Sequence, residues 1–173
     1  MIGCTAVSGL RQYLDRTTAA TILVGATTVF AHERPEVAAN LRDYVDVTPI
    51  DVNRGGKRTL YLYCNVWSTI DRINEHRLLV AESKIGVVAD GRMISMNSGK
   101  TLLEAGIGES PVPDPARSLR MALGEVSVEA LRSIARANDI YVRVESGTSV
   151  DVYRLWRDRR AQLNTFIAAV PGH

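Results

Sequence analysis

Hydrophobic and polar residues alternate through the middle of the chain. In LYLYCNVW (60–67), Leu60, Leu62, Cys64 and Val66 fall on one side, and Tyr61, Tyr63 and Trp67 on the other. A period of two is that of a β-strand, whose successive side chains leave opposite faces. DYVDVTPIDVN (43–53) has the same character, and Arg54-Gly55-Gly56-Lys57 between the two runs predicts a hairpin. Pro49 cannot donate to a ladder, so it predicts an edge strand or a bulge. Asp90-Gly91 turns LLVAESKIGVVA into RMISM, and Gly147 joins DIYVRVES to SVDVYRLW, predicting two more hairpins. ATILVGATTVFA (20–31) is too short to span a bilayer, which takes about 20 residues. Its Gly25-Ala26 predicts a turn between paired strands at 19–24 and 27–31.

A helical period replaces this alternation elsewhere. Residues 5–15 place Val7, Leu10, Tyr13 and Leu14 near one face, which predicts a short N-terminal helix. Pro35 fits the first position of a helical turn running through Leu41. SVEALRSIARAN (127–138) predicts a helix capped by Ser127, with Leu131, Ile134 and Ala135 facing inward. A last helix over 158–169 carries Leu163, Phe166, Ile167 and Val170 on one stripe, ended by Pro171-Gly172. Residues 97–115, rich in glycine and proline, read as a long surface connection. The expected fold is α+β and spans one domain, 1–173. It is predominantly antiparallel β and sandwich-like, with the N-terminal helix inside a tether (1–18) and two C-terminal helices on a β-rich body (19–173).

Composition changes this picture little. Of 173 residues 46% are hydrophobic and 23% charged, as in ordinary globular proteins. A net charge of +2 is too mild to imply nucleic acid, and basic stretches such as RLWRDRR are interrupted by acids. Two cysteines do not make a disulfide framework, and Cys64, alternating with Leu62 and Val66, reads as a buried free thiol.

Candidate chemistry is sparse. SGKT (98–101) resembles the end of a phosphate-binding loop, but that loop needs glycine where Ile94 stands. His32, His76 and His173 lie far apart and neither cysteine has a C-x-x-C partner, so no metal or other cofactor is expected. Asp43, Asp46 and Asp51, with Asp71 and Glu75 beyond them, are the one prospect for a hydrolase's acid–base pair. Acids on a β-rich surface are ordinary, and no catalytic residue is assigned. The stretch VNRGGKRTLYLYCNVWSTIDR (52–72) admits two readings. Its strand is buried on both faces, with the aromatics packed beneath helices. Alternatively Trp67 belongs to a partly exposed aromatic strip, rimmed by Asn53, Arg54, Asp71 and Arg72, that grips a protein or glycan.

LDRTTAATI, RDYVDVTPIDVNRGG, YLYCNVWSTIDR, IARAND and YRLW together resemble a family of uncharacterised bacterial envelope lipoproteins, over about residues 14 to 157. The resemblance implies export, cleavage before a cysteine and acylation of that cysteine, here Cys4. Gly3-Cys4 suits such a cleavage site, but only Met1-Ile2-Gly3 precede Cys4, where a signal needs a basic region and 7–15 apolar residues. Either a leader stands upstream of Met1 or the dipeptide is accidental, and the first is expected. Thr5 is not the aspartate of inner-membrane retention, so the expected location is the outer membrane, facing the periplasm. The expected function is a non-enzymatic, lipid-tethered binding or structural domain with an envelope protein or glycan as partner and no nucleic acid. The alternatives are a periplasmic inhibitor or assembly factor docking through Trp67–Arg72, a hydrolase using the acids above, and a cytoplasmic protein.

Overall fold

The computed structural model describes residues 9–35, 40–69, 83–96, 100–113 and 118–170. In chain order these form β1 (Arg11–Leu14), β2 (Thr21–Val24), β3 (Thr28–Glu33), β4 (Arg42–Arg54), β5 (Lys57–Ser68), β6 (Lys84–Ala89), β7 (Arg92–Ser95), β8 (Ser118–Glu125), α1 (Val128–Arg136), β9 (Ile140–Ser146), β10 (Ser149–Arg157) and α2 (Ala161–Ala169). All the strand pairings are antiparallel.

Three of the four predicted hairpins are present: β4 turns into β5 at Gly55-Gly56, β6 into β7 at Asp90-Gly91, and β9 into β10 at Gly147-Thr148. Both predicted C-terminal helices form, and the Ser127 hydroxyl accepts the Ala130 N–H at 3.1 Å as an N-cap.

Four expectations are corrected. Among the described residues of 5–15 there is no helix, because 11–14 are the strand β1, paired with β2. The partner strand satisfies these backbone groups, and of the apparent helical face Leu10 packs against the larger core, Tyr13 against the smaller one, and Leu14 is exposed. Second, Gly25-Ala26 is not a hairpin turn. β2 and β3 both run along the same edge of β4, with Val24 opposite Ile50 and Thr28 opposite Val47. Residues 25–27 therefore oppose only 48–49, one extra residue, which is a β-bulge. Pro49 lies opposite this bulge, where its carbonyl accepts the Gly25 N–H at 2.9 Å and its missing donor is not needed. Gly25 is required there, since a Cβ would stand 2.6 Å from Pro49 Cγ and 2.9 Å from Phe166.

Third, the strands do not divide into the two sheets of a sandwich. They form one ten-stranded sheet, because the long β4 serves both halves. One edge of β4 pairs with β5 and then β8, and the other is shared between β2, leading to β1, and β3, leading to β10, β9, β6 and β7. The sheet curls so that β3, β4, β5, β6 and β9 all send side chains into one core with both helices. Where β7 ends, the chain passes against β8, and a Cβ on Gly124 would meet Ser95 O at 2.7 Å.

A second, smaller core lies on the outer face. Residues 100–113, expected as a surface connection, instead cover the far halves of β4 and β5. Ala105 and Ile107 are buried there against Ile50, Val52, Tyr61 and Tyr63. Asp15 fastens this layer, accepting the N–H groups of Thr17, Thr18, Gly108 and Glu109 at 2.9, 3.0, 2.7 and 3.3 Å.

Candidate functional site

The covering layer stops partway along the sheet, and the burial of β4 records where. From Arg42 to Val47 buried and half-buried residues alternate, whereas Thr48 to Val52 are buried without a break. Over the first half of β4 the described covering layer is thus missing and the outer face is partly exposed, although Asn65 remains fully buried there. The outward residues of β4 there are Arg42, Tyr44 and Asp46, opposite Trp67 and Asn65 of β5.

These residues build an aromatic ladder. Tyr44 and Trp67, directly opposite across the strands, stack with centroids 4.3 Å apart and planes 17° apart. Trp156 of β10 meets Tyr44 edge-on at 6.3 Å. It does so from across β3, where the outward residue opposite both Tyr44 and Arg154 is the small Ala31. The Arg42 guanidinium lies 4.6 Å from the centre of the Trp156 ring, and Glu33 holds that guanidinium at 3.0 Å. An edge-to-face ring contact of this kind contributes about 0.5–1.5 kcal/mol beyond the area it buries. Burial beside Trp67 pushes the Asp46 carboxyl up, and the Trp67 indole and Arg157 offset only part of that rise. Trp156 nevertheless remains 53% exposed, and both tryptophans of the chain lie on this face. The row continues past Arg154 to Tyr141, its direct partner on β9.

The residues singled out from sequence separate. Trp67 belongs to the ladder. Asn53 and Arg54 sit at the opposite end of the same hairpin, where Asn53 Oδ1 accepts the Gly56 N–H at 3.1 Å. At roughly 3.3 Å per residue they lie about 30 Å along β4 from Tyr44 and do not rim Trp67. Cys4, Asp71 and Arg72 lie outside the described residues, as do Glu75, His76 and His173. The aromatic stretch of β5 divides between the two expected readings. Tyr61 and Tyr63 are buried on the outer face, but under residues 100–113 rather than under helices. Trp67, beyond that cover, is only half-buried. Tyr44, Trp156 and Arg42 were not singled out from sequence: the register of the Gly55-Gly56 hairpin sets Tyr44 opposite Trp67, but Trp156 joins them only through the strand order β4-β3-β10. Alternation would have placed Tyr44 outward, and RLW placed an aromatic among cations, but neither signal brings the three strands together.

Among the described residues the candidate carboxylates do not converge. Asp43 and Asp51 point to the inner face of β4 at opposite ends, about 26 Å apart at 3.3 Å per residue, whereas Asp46 points outward. A glycosidase pair needs its two carboxyl groups within about 10 Å. Asp51 accepts from Arg58 at 2.8 Å, and Asp43, fully buried, accepts from Arg34 Nε at 3.0 Å. Arg34 also clamps both carboxylate oxygens of Asp151, and His32 Nδ1 lies 2.8 Å from the Val152 carbonyl beside that knot. This inward cluster fastens β3, β4 and β10 together. Cys64 is a buried free thiol, and burial pushes it far above its ordinary range, which suits packing rather than reactivity. Lys100, from the rejected phosphate-loop match, is held by Glu125 at 2.9 Å.

No protein-family model, curated protein or solved structure matches this chain.

Proposed function

We propose that this chain is a non-enzymatic binding module of the bacterial envelope that docks a protein partner on the Tyr44–Trp67–Trp156 face. One observation carries the reading: the described residues that cover the outer face end partway along the sheet, and an arginine-laced aromatic ladder stands on the partly exposed remainder. Trp, Tyr and Arg dominate the energetics of protein interfaces, because they bury large areas at low conformational cost. The stacked Tyr44–Trp67 pair turns one face of each ring to the other, so fewer ring faces are left for a stacking ligand, which favours a partner that packs against edges. Replacing Tyr44 and Trp156 together by alanine is expected to remove the bound partner on co-purification while leaving the far-ultraviolet circular dichroism unchanged. Retained partner with an intact fold would refute the docking face.

Placement in the envelope rests on Gly3-Cys4 and on the lipoprotein resemblance. Among the described residues no helix is long and apolar enough to cross a membrane. An acyl chain on Cys4 supplies an anchor worth about 0.8 kcal/mol per buried CH₂. Cells expressing the gene in its natural context should incorporate an alkynyl fatty acid into this protein, and Cys4→Ser should abolish the label. Absence of label on the unaltered protein would remove the tether from the account and leave the docking face standing.

A further inference from the structure

The open face holds several guanidinium groups, and they are not equivalent. Arg42 is neutralised by Glu33 at 3.0 Å, and Arg143 by Glu145 at 2.8 Å. Arg157 lies close enough to Asp46 to stabilise its charge. Arg154 is exposed and has no ion pair among the described residues. It sits at the centre of the row, with Tyr141 opposite it on β9 and Ala31 opposite it on β3. Beside it a shallow depression of about 290 Å³ is lined by Arg154, Tyr141, Arg143, Val150, Val152 and Asp139. Val150 is an exposed apolar residue here, so apolar wall and unneutralised cation adjoin.

A partner packing on the ladder would bury this guanidinium, and a buried unpaired charge is strongly unfavourable. The partner must therefore bring an anion to this point. A carboxylate matches the planar fork of arginine through two parallel hydrogen bonds. We propose that Arg154 receives a carboxylate of the docking protein, from an acidic side chain or a C-terminus, with an adjoining apolar side chain against Val150 and Val152. This rests on the docking face proposed above and adds its chemical requirement. Asp139 at the rim sets the sign of a second effect, because it opposes a carboxylate and would favour a cation.

The test uses the two tryptophans as reporters, since both lie on this face. The probes are acetylated, amidated Leu-Asp-Leu-Asp-Leu, its asparagine analogue as the amide and as the free acid, and a thymidine dodecamer. The aspartate peptide is expected to change tryptophan emission and to bind at least about tenfold more tightly than the asparagine amide, as for a charge-assisted hydrogen bond. Arg154→Gln should remove that preference, and Asp139→Asn should tighten the aspartate peptide. Binding of the asparagine free acid would assign the carboxylate to a chain terminus. Equal binding of the aspartate and asparagine amides, an unaffected Arg154→Gln, or tighter binding of the dodecamer than of any peptide would overturn the inference. If Trp156→Ala weakens both amides equally while Arg154→Gln changes nothing, the docking face survives and its carboxylate requirement fails. No response from any probe at millimolar concentration overturns the inference as well, and the face is then judged by the co-purification experiment alone.

Discussion

Asp15 is 3% exposed, and burial opposes its charge. The N–H groups of Thr18, Gly108, Glu109 and Thr17 outweigh that penalty and hold the carboxyl below its usual range. A carboxyl depressed on folding stabilises the native state above its unfolded-state value, near 4, and loses that contribution as pH falls through the folded value. Asp15→Asn should cost on the order of 2 kcal/mol at neutral pH, as for a lost charge-assisted acceptor. As pH falls through the folded value the gap to the parent should narrow, and urea unfolding at neutral and at acidic pH checks both statements. A residue of this kind is illegible in sequence. Asp15 falls at the end of the expected N-terminal helix, and its partners at 108–109 come from a segment read as a plain connection. Trp67 was half legible: alternation assigned its face, but not the end of the covering layer that leaves it half-buried.

The elements most legible in sequence were those fixed by local chemistry. The two-residue loops at Gly55-Gly56 and Asp90-Gly91 and the Ser127 cap need only their neighbours, and all three appear as expected. The misread elements were decided by distant partners. Residues 11–14 became a strand because β2 offered an edge, and Gly25 became a bulge because Pro49 and Phe166 approach it. Gly124 belongs to the same class. Nothing in SLRMALGE marks it, yet a Cβ there would lie 2.7 Å from Ser95 O and 2.8 Å from Met96 Cα. Both neighbours are backbone atoms, which cannot swing aside. Gly124→Val should therefore cost about 1–3 kcal/mol by overpacking, read as a lowered denaturation midpoint. An unchanged midpoint would mean that the crossing of β7 and β8 is looser than described.

Across the whole molecule, one curled sheet has two differently covered faces. The inner face is closed by α1 and α2 and pinned at one end by Arg34 between Asp43 and Asp151. The outer face is closed by residues 100–113 over half its extent. On the remainder stand Tyr44, Trp67 and Trp156, with arginines set among them. Antiparallel sheets often leave one face to water, but such faces are then polar. Large aromatics on an open face mark a surface that some other molecule covers. The most direct measurement places a photoreactive benzophenone amino acid at position 156, and separately at the remote hairpin residue Arg54, in cells expressing the protein. The account predicts one dominant protein adduct from position 156, lost when Tyr44 is also changed to alanine, and none from position 54. No adduct from position 156, or the same adducts from both positions, would contradict it.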